Sequence, residues 1–367
     1  MKRRIHGPSL YYATDKNIFD ALLQHKVDTP TVIKLFQRRN IIVGKRTPRE
    51  DLAKYFARLT HDYYDHKDIA ARLGVAPRKE RITSMDVSGA GDIGQLQIAV
   101  DQLKQELEAA GDVVQISREG NRLTMHVQYS TVDYKRSEFT QVQVRDGAIE
   151  FEGSGAGYIV RNTQNEYLND VRDTLLGKLE KATQEPLTKL VVSLFDVPSP
   201  KLRSKFFHEL MTDLPGYVRR DVTDVYVYKA KPQPDDDIDD EDVSNDPDTH
   251  VERVFLRGNG VTRSELLNEL LDEENYYIIK VGWTATETMG AGNVYDIEAL
   301  FVDYKDCADF SFILTGVYPL EEGKISSRRR PPYKSEIDAI SRVIEVKSRE
   351  LMLKLRDEFG AANAGGL

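Results

Sequence analysis

The chain has 367 residues, 40% apolar and 30% charged, with a formal charge of -9, which is enough to bury one large core or two to three smaller ones and reads as globular and soluble. Nine of its 60 acids (Asp235, Asp236, Asp237, Asp239, Asp240, Glu241, Asp242, Asp246, Asp248) sit in the single run PDDDIDDEDVSNDPD, and setting them aside leaves 51 acids against 51 bases; a wholesale basic or acidic surface is excluded, and any anion-binding face must be local. The lone Cys307 excludes an internal disulfide and a multi-cysteine zinc site, no apolar run approaches the roughly 20 residues of a membrane helix, and MKRRIHGPSLYY has no apolar signal core, so a cytoplasmic protein with no membrane partner is expected.

In chain order, residues 16–74 read as helical. The stretches NIFDALLQH, TVIKLFQRR, REDLAKYFARLTHDYYD and KDIAARLG each place apolar residues three and four apart. From about residue 95 the pattern becomes helix QLQIAVDQLKQELEAAG, then strands VVQIS, RLTMHVQYS, FTQVQVRDG and AIEFEG, then helix NEYLNDVRDTLLGKLEKA. Asp146-Gly147 signals a hairpin between the last two strands. Strand KLVVSLFDV, helix PKLRSKFFHELMTDL and strand TDVYVYKA lead into the acidic run. Helix TRSELLNELLDE, strands YYIIKVGWTATE, VYDIEALFVDYK and FSFILTGVYPL, and a final helix from about Ser335 to Phe359 follow it.

The predicted fold class is therefore α+β: a helical N-terminal unit followed by two helix, antiparallel-meander, helix modules, the recurring order suggesting an old duplication. The corresponding boundaries are 1–80 for the helical unit, 81–185 for the first module, 186–232 for the strand-helix-strand segment and 251–359 for the second module. The run at 233–250 has almost no apolar residues and is expected to be a disordered loop; a disordered tail is expected at 360–367.

Candidate chemistry is sparse. GAGDIG spaces Gly89, Gly91 and Gly94 as a dinucleotide-binding turn does, so these are weak cofactor-binding candidates. The preceding RITSMDV is half polar, further strands follow in place of a crossover helix, and no acid closes the second strand, so no cofactor is expected and a glycine connection with Asp92 near a helix start is preferred. GSGAGYIV (Gly153, Gly155, Gly157) lacks the phosphate-loop lysine and reads as a strand-end turn. Glu345 and Lys347 in VIEVK have a nuclease-like spacing, but Ile337, Ile340, Ile344, Leu351 and Leu355 recur at helical intervals, which makes a solvated helix face the expectation. His61 and His66 with Asp62 and Asp65 form no metal-site spacing, and an exposed helical face is expected; no metal is assigned. Cys307 has no activating neighbour and reads as a structural thiol.

The stretch VIKLFQRRNIIVGKRTPREDLAKYFARL is the most suggestive. Its Leu35, Ile42, Val43, Gly44, Arg49, Leu52, Phe56 and Leu59 resemble the SAP-like helix, extended loop, helix unit of many DNA-associated proteins. Val32, Leu35 and Phe36 can pack on Leu52, Phe56 and Leu59, with Thr47 as N-cap and Pro48 as first helical residue. The resemblance implies a phosphate contact by Arg38, Arg39, Lys45, Arg46 and Arg49. A second basic stretch, KISSRRRPPYK, offers Arg328, Arg329, Arg330 and Lys334 with Tyr333 to stack on a base or sugar.

The reading is a non-enzymatic nucleic-acid-binding accessory or adaptor protein, of a kind found in bacterial defence or genome-maintenance complexes, contacting DNA or RNA through phosphates and a protein partner through the meander modules. A protein-interaction scaffold without nucleic acid is the alternative; a nucleotide-binding or nuclease-like enzyme is third.

Overall fold

The computed structural model describes residues 13–24, 27–73, 80–89, 91–135, 139, 141–155, 157–230, 252–258, 260–261, 264–272, 274–289 and 292–364. The expected disordered acidic run lies outside them. The chain divides into two compact units. The first takes Met1–Lys79, Gly91–Glu150 and Asp173–Ala182; the second takes Glu80–Ala90, Phe151–Arg172 and Thr183–Leu367. Helices and antiparallel strands both contribute heavily, so the fold class is α+β.

The first unit opens with α1 (Asp15–Leu23), α2 (Thr29–Arg38), α3 (Arg49–Ala57) and α4 (Tyr63–Leu73). Their apolar positions close one core containing Ile18, Leu22, Val32, Leu35, Phe36, Leu52, Phe56, Ile69 and Leu73. A side chain of this size contributes about 2–3 kcal/mol when fully buried. The continuous helix expected over 49–65 is interrupted. At its N-terminus α4 has a polar box in which the Asp65 amide donates to Asp62 at 2.9 Å and the Asp62 amide donates to Asp65 at 3.3 Å. That arrangement draws Asp62 below its ordinary pKa and makes it a helix start, which the apolar period alone hides.

Then come α5 (Ile93–Ala109), β2 (Val113–Glu119) and β3 (Arg122–Val132), the two strands forming an antiparallel hairpin from Val113↔Gln128 to Glu119↔Arg122. The hairpin expected at Asp146-Gly147 does not form. One strand, β4 (Val142–Ser154), runs straight through the pair. The turn falls instead at Gly155, φ +55°, before β5 (Gly157–Thr163), as the strand-end reading of GSGAG expects. α6 (Glu166–Thr183) follows.

In the second unit, β1 (Ile82–Ser88), β5, β6 (Thr188–Val191), β7 (Tyr217–Tyr228), β8 (Arg253–Arg257), β9 (Tyr277–Glu287), β10 (Val294–Asp303) and β11 (Ala308–Tyr318) pair in the order β5-β1-β11-β10-β9-β7-β8, with β6 also on β1. Each of these pairings is antiparallel. Alternate residues of β9 (Val281, Trp283, Ala285) and β10 (Ile297, Ala299, Phe301) point to one face, against Phe206, Phe207 and Leu210 of α7 (Pro200–Thr212) and Ile344, Leu351 and Leu355 of α9 (Lys334–Ala364). The intervening residues, among them Lys280, Thr284, Asp296 and Glu298, are left on the opposite face. The short helix α8 (Glu265–Asp272) and the hairpin β12 (Leu320–Glu321) and β13 (Lys324–Ile325) complete the elements. α9 continues to Ala364, past the end expected at Phe359, because residues 360–364 carry no helix-stopping proline and three alanines favour continuation.

Candidate nucleic-acid interface

The hairpin of α2 and α3 follows from its apolar spacing. Phe36 and Phe56 meet edge to face with ring centroids 5.1 Å apart, inside the core shared with α1 and α4. α2 stops at a left-handed residue, Asn40, φ +57°. The Asn40 amide donates to the Gln37 carbonyl at 3.0 Å and the Ile41 amide to the Phe36 carbonyl at 3.0 Å, which is the paired ending that satisfies the last carbonyls of a helix. The chain beyond it is extended: Ile41 and Val43 pack on the core, while Ile42 between them is 95% exposed.

The spacing places Thr47 at the N-cap of α3. The structure places Pro48 there, with no side-chain cap, because the Thr47 amide is drawn back to the Gly44 carbonyl at 3.1 Å in a tight turn. The first-turn amides of α3 therefore have no capping side chain; they lie between the most basic part of the loop and the exposed first-turn acids Glu50 and Asp51.

The hairpin's cations divide sharply. Arg49 turns back to α1, its Nε and Nη2 donating to the Leu22 carbonyl at 3.1 and 2.7 Å and Nη2 also to that of Gln24, so it closes the C-terminal end of α1. Arg39 donates to Asp65, lies 3.4 Å from His61 Nδ1 and sits 5.4 Å from the Phe56 ring centroid. His61, expected on an exposed face, is tucked into this group. Its Nε2 is 3.0 Å from the Phe56 carbonyl, and burial, then Arg39, pushes its pKa down. Arg38 pairs with Asp68. Lys45 and Arg46 alone of these five are exposed with no hydrogen bond or ion pair to the described residues.

The second basic stretch, in the other unit, is pinned to the sheet. The Arg330 amide and carbonyl exchange hydrogen bonds with Val317 at 2.9 and 3.0 Å. Its guanidinium donates to Glu336 at 2.8 and 2.6 Å and lies 4.2 Å from the Tyr333 ring centroid. Arg329 donates to Asp296 at 2.6 Å. Arg328 and Lys334 are exposed, with no side-chain hydrogen bond or ion pair to the described residues, beside the exposed ring of Tyr333.

The nucleotide-binding candidate has a different chemistry from the one its glycines suggest. Asp92 caps α5, its Oδ1 accepting from the amides of Gly94 and Gln95 at 2.8 and 2.9 Å, so a carboxylate already occupies the position a pyrophosphate would take. Gly89 and Gly91 have φ of +79° and +64° and serve the connection to that cap. Cys307 is buried, and burial pushes its thiol up to about 12, in keeping with a structural role.

Glu345 and Lys347 contradict the solvated-face expectation. Glu345 is 1% exposed and accepts from Arg161 Nε and Nη2 at 2.7 and 2.8 Å. Arg161 also donates to Glu152, which accepts from Arg342 at 2.7 Å, and Arg349 pairs with Asp86. Residues 342, 345 and 349 share one helical face; that face is visible in the sequence, but the strand partners Asp86, Glu152 and Arg161 are not. Burial lifts the carboxyls of both Glu345 and Asp86, opposed by their arginines. Among the described residues no group of three or more histidine, cysteine, aspartate or glutamate side chains is arranged to hold a metal, and no helix is long and apolar enough to cross a membrane.

No family model matches the chain, and no curated protein matches it.

Proposed function

We propose that the protein is a non-enzymatic accessory or adaptor that contacts the phosphate backbone of DNA or RNA through the loop between α2 and α3. One observation carries the reading. Lys45 and Arg46 are exposed and have no hydrogen bond or ion pair to the described residues, in the turn that precedes an uncapped helix, whereas Arg39 and Arg49 are occupied in tying the hairpin to α4 and to the end of α1. Unpaired cations release condensed counterions on meeting phosphates, and free first-turn amides favour the same anion. Because contacts to phosphates carry no base information, binding of this kind is indifferent to sequence. Arg328, Lys334 and Tyr333 provide a second, smaller set of contacts.

The test is a gel-shift titration of single- and double-stranded DNA and RNA with wild type and with Lys45→Glu/Arg46→Glu. The reading requires a shift by wild type that the double variant loses while its helical circular dichroism is retained. A second reading, docking of a protein partner on the same loop, is favoured by Ile42, which is 95% exposed between two inward-facing residues. It predicts that Ile42→Ser disrupts complex formation while nucleic acid has no effect.

A further inference from the structure

The open face of the second unit's sheet carries a cleft of about 540 Å³, within the range of small-molecule sites. Register builds it. One cross-strand row reads Phe255, Tyr226, Lys280 and the next Arg257, Asp224, Gly282, Glu298. Gly282 leaves the floor bare: a β-carbon there would lie 3.1 Å from Asp224 Oδ2 and 3.2 Å from Thr223 Oγ1. Gly316 is bare for a related reason, since a β-carbon would fall on the Arg329 side chain that lies across it.

The charges lining the cleft close on one another. Arg257 meets Asp224 at 3.4 Å, Lys280 meets Glu298 at 2.7 Å and Arg329 meets Asp296 at 2.6 Å. The lining is formally neutral, Glu298 also accepts from Arg81 Nε at 2.9 Å, and each lining cation already faces a carboxylate, so none is left over to single out a phosphate. What it presents is ionised acceptors beside ionised donors, with the hydroxyls of Thr223, Thr284 and Thr315 between them. A hydroxyl group suits such a wall because it donates to a carboxylate and accepts from a guanidinium or ammonium at once. At one end Phe255, 46% exposed, stacks on Tyr226 with centroids 4.2 Å apart and planes 27° apart, offering an apolar ring face.

We propose that this cleft binds a neutral saccharide, the sugar's hydroxyls bridging the three ion pairs and its C–H face lying on Phe255. The site is independent of Lys45 and Arg46. The test is saturation-transfer NMR of the full chain with glucose-, galactose-, mannose-, xylose- and N-acetylglucosamine-based oligosaccharides and with a single-stranded RNA hexamer. Phe255→Ala and Arg257→Gln, both at exposed positions, are compared with wild type and with Lys45→Glu/Arg46→Glu, each checked for an unchanged Trp283 unfolding midpoint. Transfer to at least one oligosaccharide, weakened about tenfold in both cleft variants and untouched in the loop variant, is the expected result. No transfer to any sugar of the panel, transfer unaffected by both cleft variants, or an RNA signal that the cleft variants abolish while every sugar is silent would each overturn it.

Discussion

Replacing Glu345 with alanine tests whether the charges under α9 hold the second unit together. Arg161 is 8% exposed and Glu345 1%, and two of the guanidinium's hydrogen bonds, at 2.7 and 2.8 Å, go to that one carboxylate. Removing it strands a buried cation. Breaking such a pair from one side costs about 3–5 kcal/mol, and the bond Arg161 retains to Glu152 places the expected loss near the lower end, about 3 kcal/mol. Replacing both partners with apolar residues, Arg161→Met/Glu345→Leu, removes the desolvation penalty together with the attraction, so the double variant should stay within about 1 kcal/mol of wild type. Urea unfolding followed by the chain's single tryptophan, Trp283, buried in the same unit, reports both. With an m-value of roughly 1–3 kcal/mol/M the single variant's midpoint falls by about 1–3 M. A single variant within 0.5 kcal/mol of wild type, on the order of measurement error, or a double variant as damaged as the single, would refute the reasoning.

Other outcomes follow from individual contacts. Arg49→Ala should lower the stability of the helical N-terminal region by about 2 kcal/mol, because the Leu22 and Gln24 carbonyls lose a charged donor; thermal melts by circular dichroism measure it, and no change would remove the capping role. Cys307 should resist iodoacetamide at pH 8 in native protein and react after unfolding, since burial holds its thiol up at about 12; labelling monitored by mass spectrometry decides. Glu336 is held below its ordinary value of 4.5 chiefly by its hydrogen bonds from Arg330. Its folded pKa is depressed, so the pair's contribution is complete above that ordinary value and disappears as pH falls through the lower folded one. Amide exchange at Val317 and Arg330, corrected for intrinsic rate, should keep its protection from neutral pH down to 4.5 and lose it only as the pH is taken further down, and a loss of protection above 4.5 would contradict it.

Much of the fold is legible because apolar period and element type coincide. The three- and four-residue spacing of Val32, Leu35 and Phe36 gives α2, and the alternation through Val281, Trp283 and Ala285 gives β9 with its inward face. What escapes the sequence depends on partners far along the chain or on local hydrogen bonds that compete with propensity. Asp62 starts a helix in the middle of an apparently continuous one. Thr47 loses its capping place to Pro48 once its amide turns back to Gly44. Asp146-Gly147 is drawn into a long strand whose pairing outweighs its turn preference. Glu345 looks like any charge on a helix, since Arg161, 184 positions away, is what buries it. The basic loop is legible as composition; that Arg39 and Arg49 are committed inward while Lys45 and Arg46 face solvent follows only from their contacts.

The central claim is tested most directly by the salt dependence of binding. Fluorescence anisotropy of a labelled DNA duplex would be recorded across a salt series for wild type and for Lys45→Ala/Arg46→Ala. Two lost phosphate contacts should make the slope of log affinity against log salt shallower by about 1.8, at roughly 0.9 per contact, and weaken binding equally for unrelated sequences. An unchanged slope, or a wild type that binds neither this duplex nor single strands at low salt, would contradict the account.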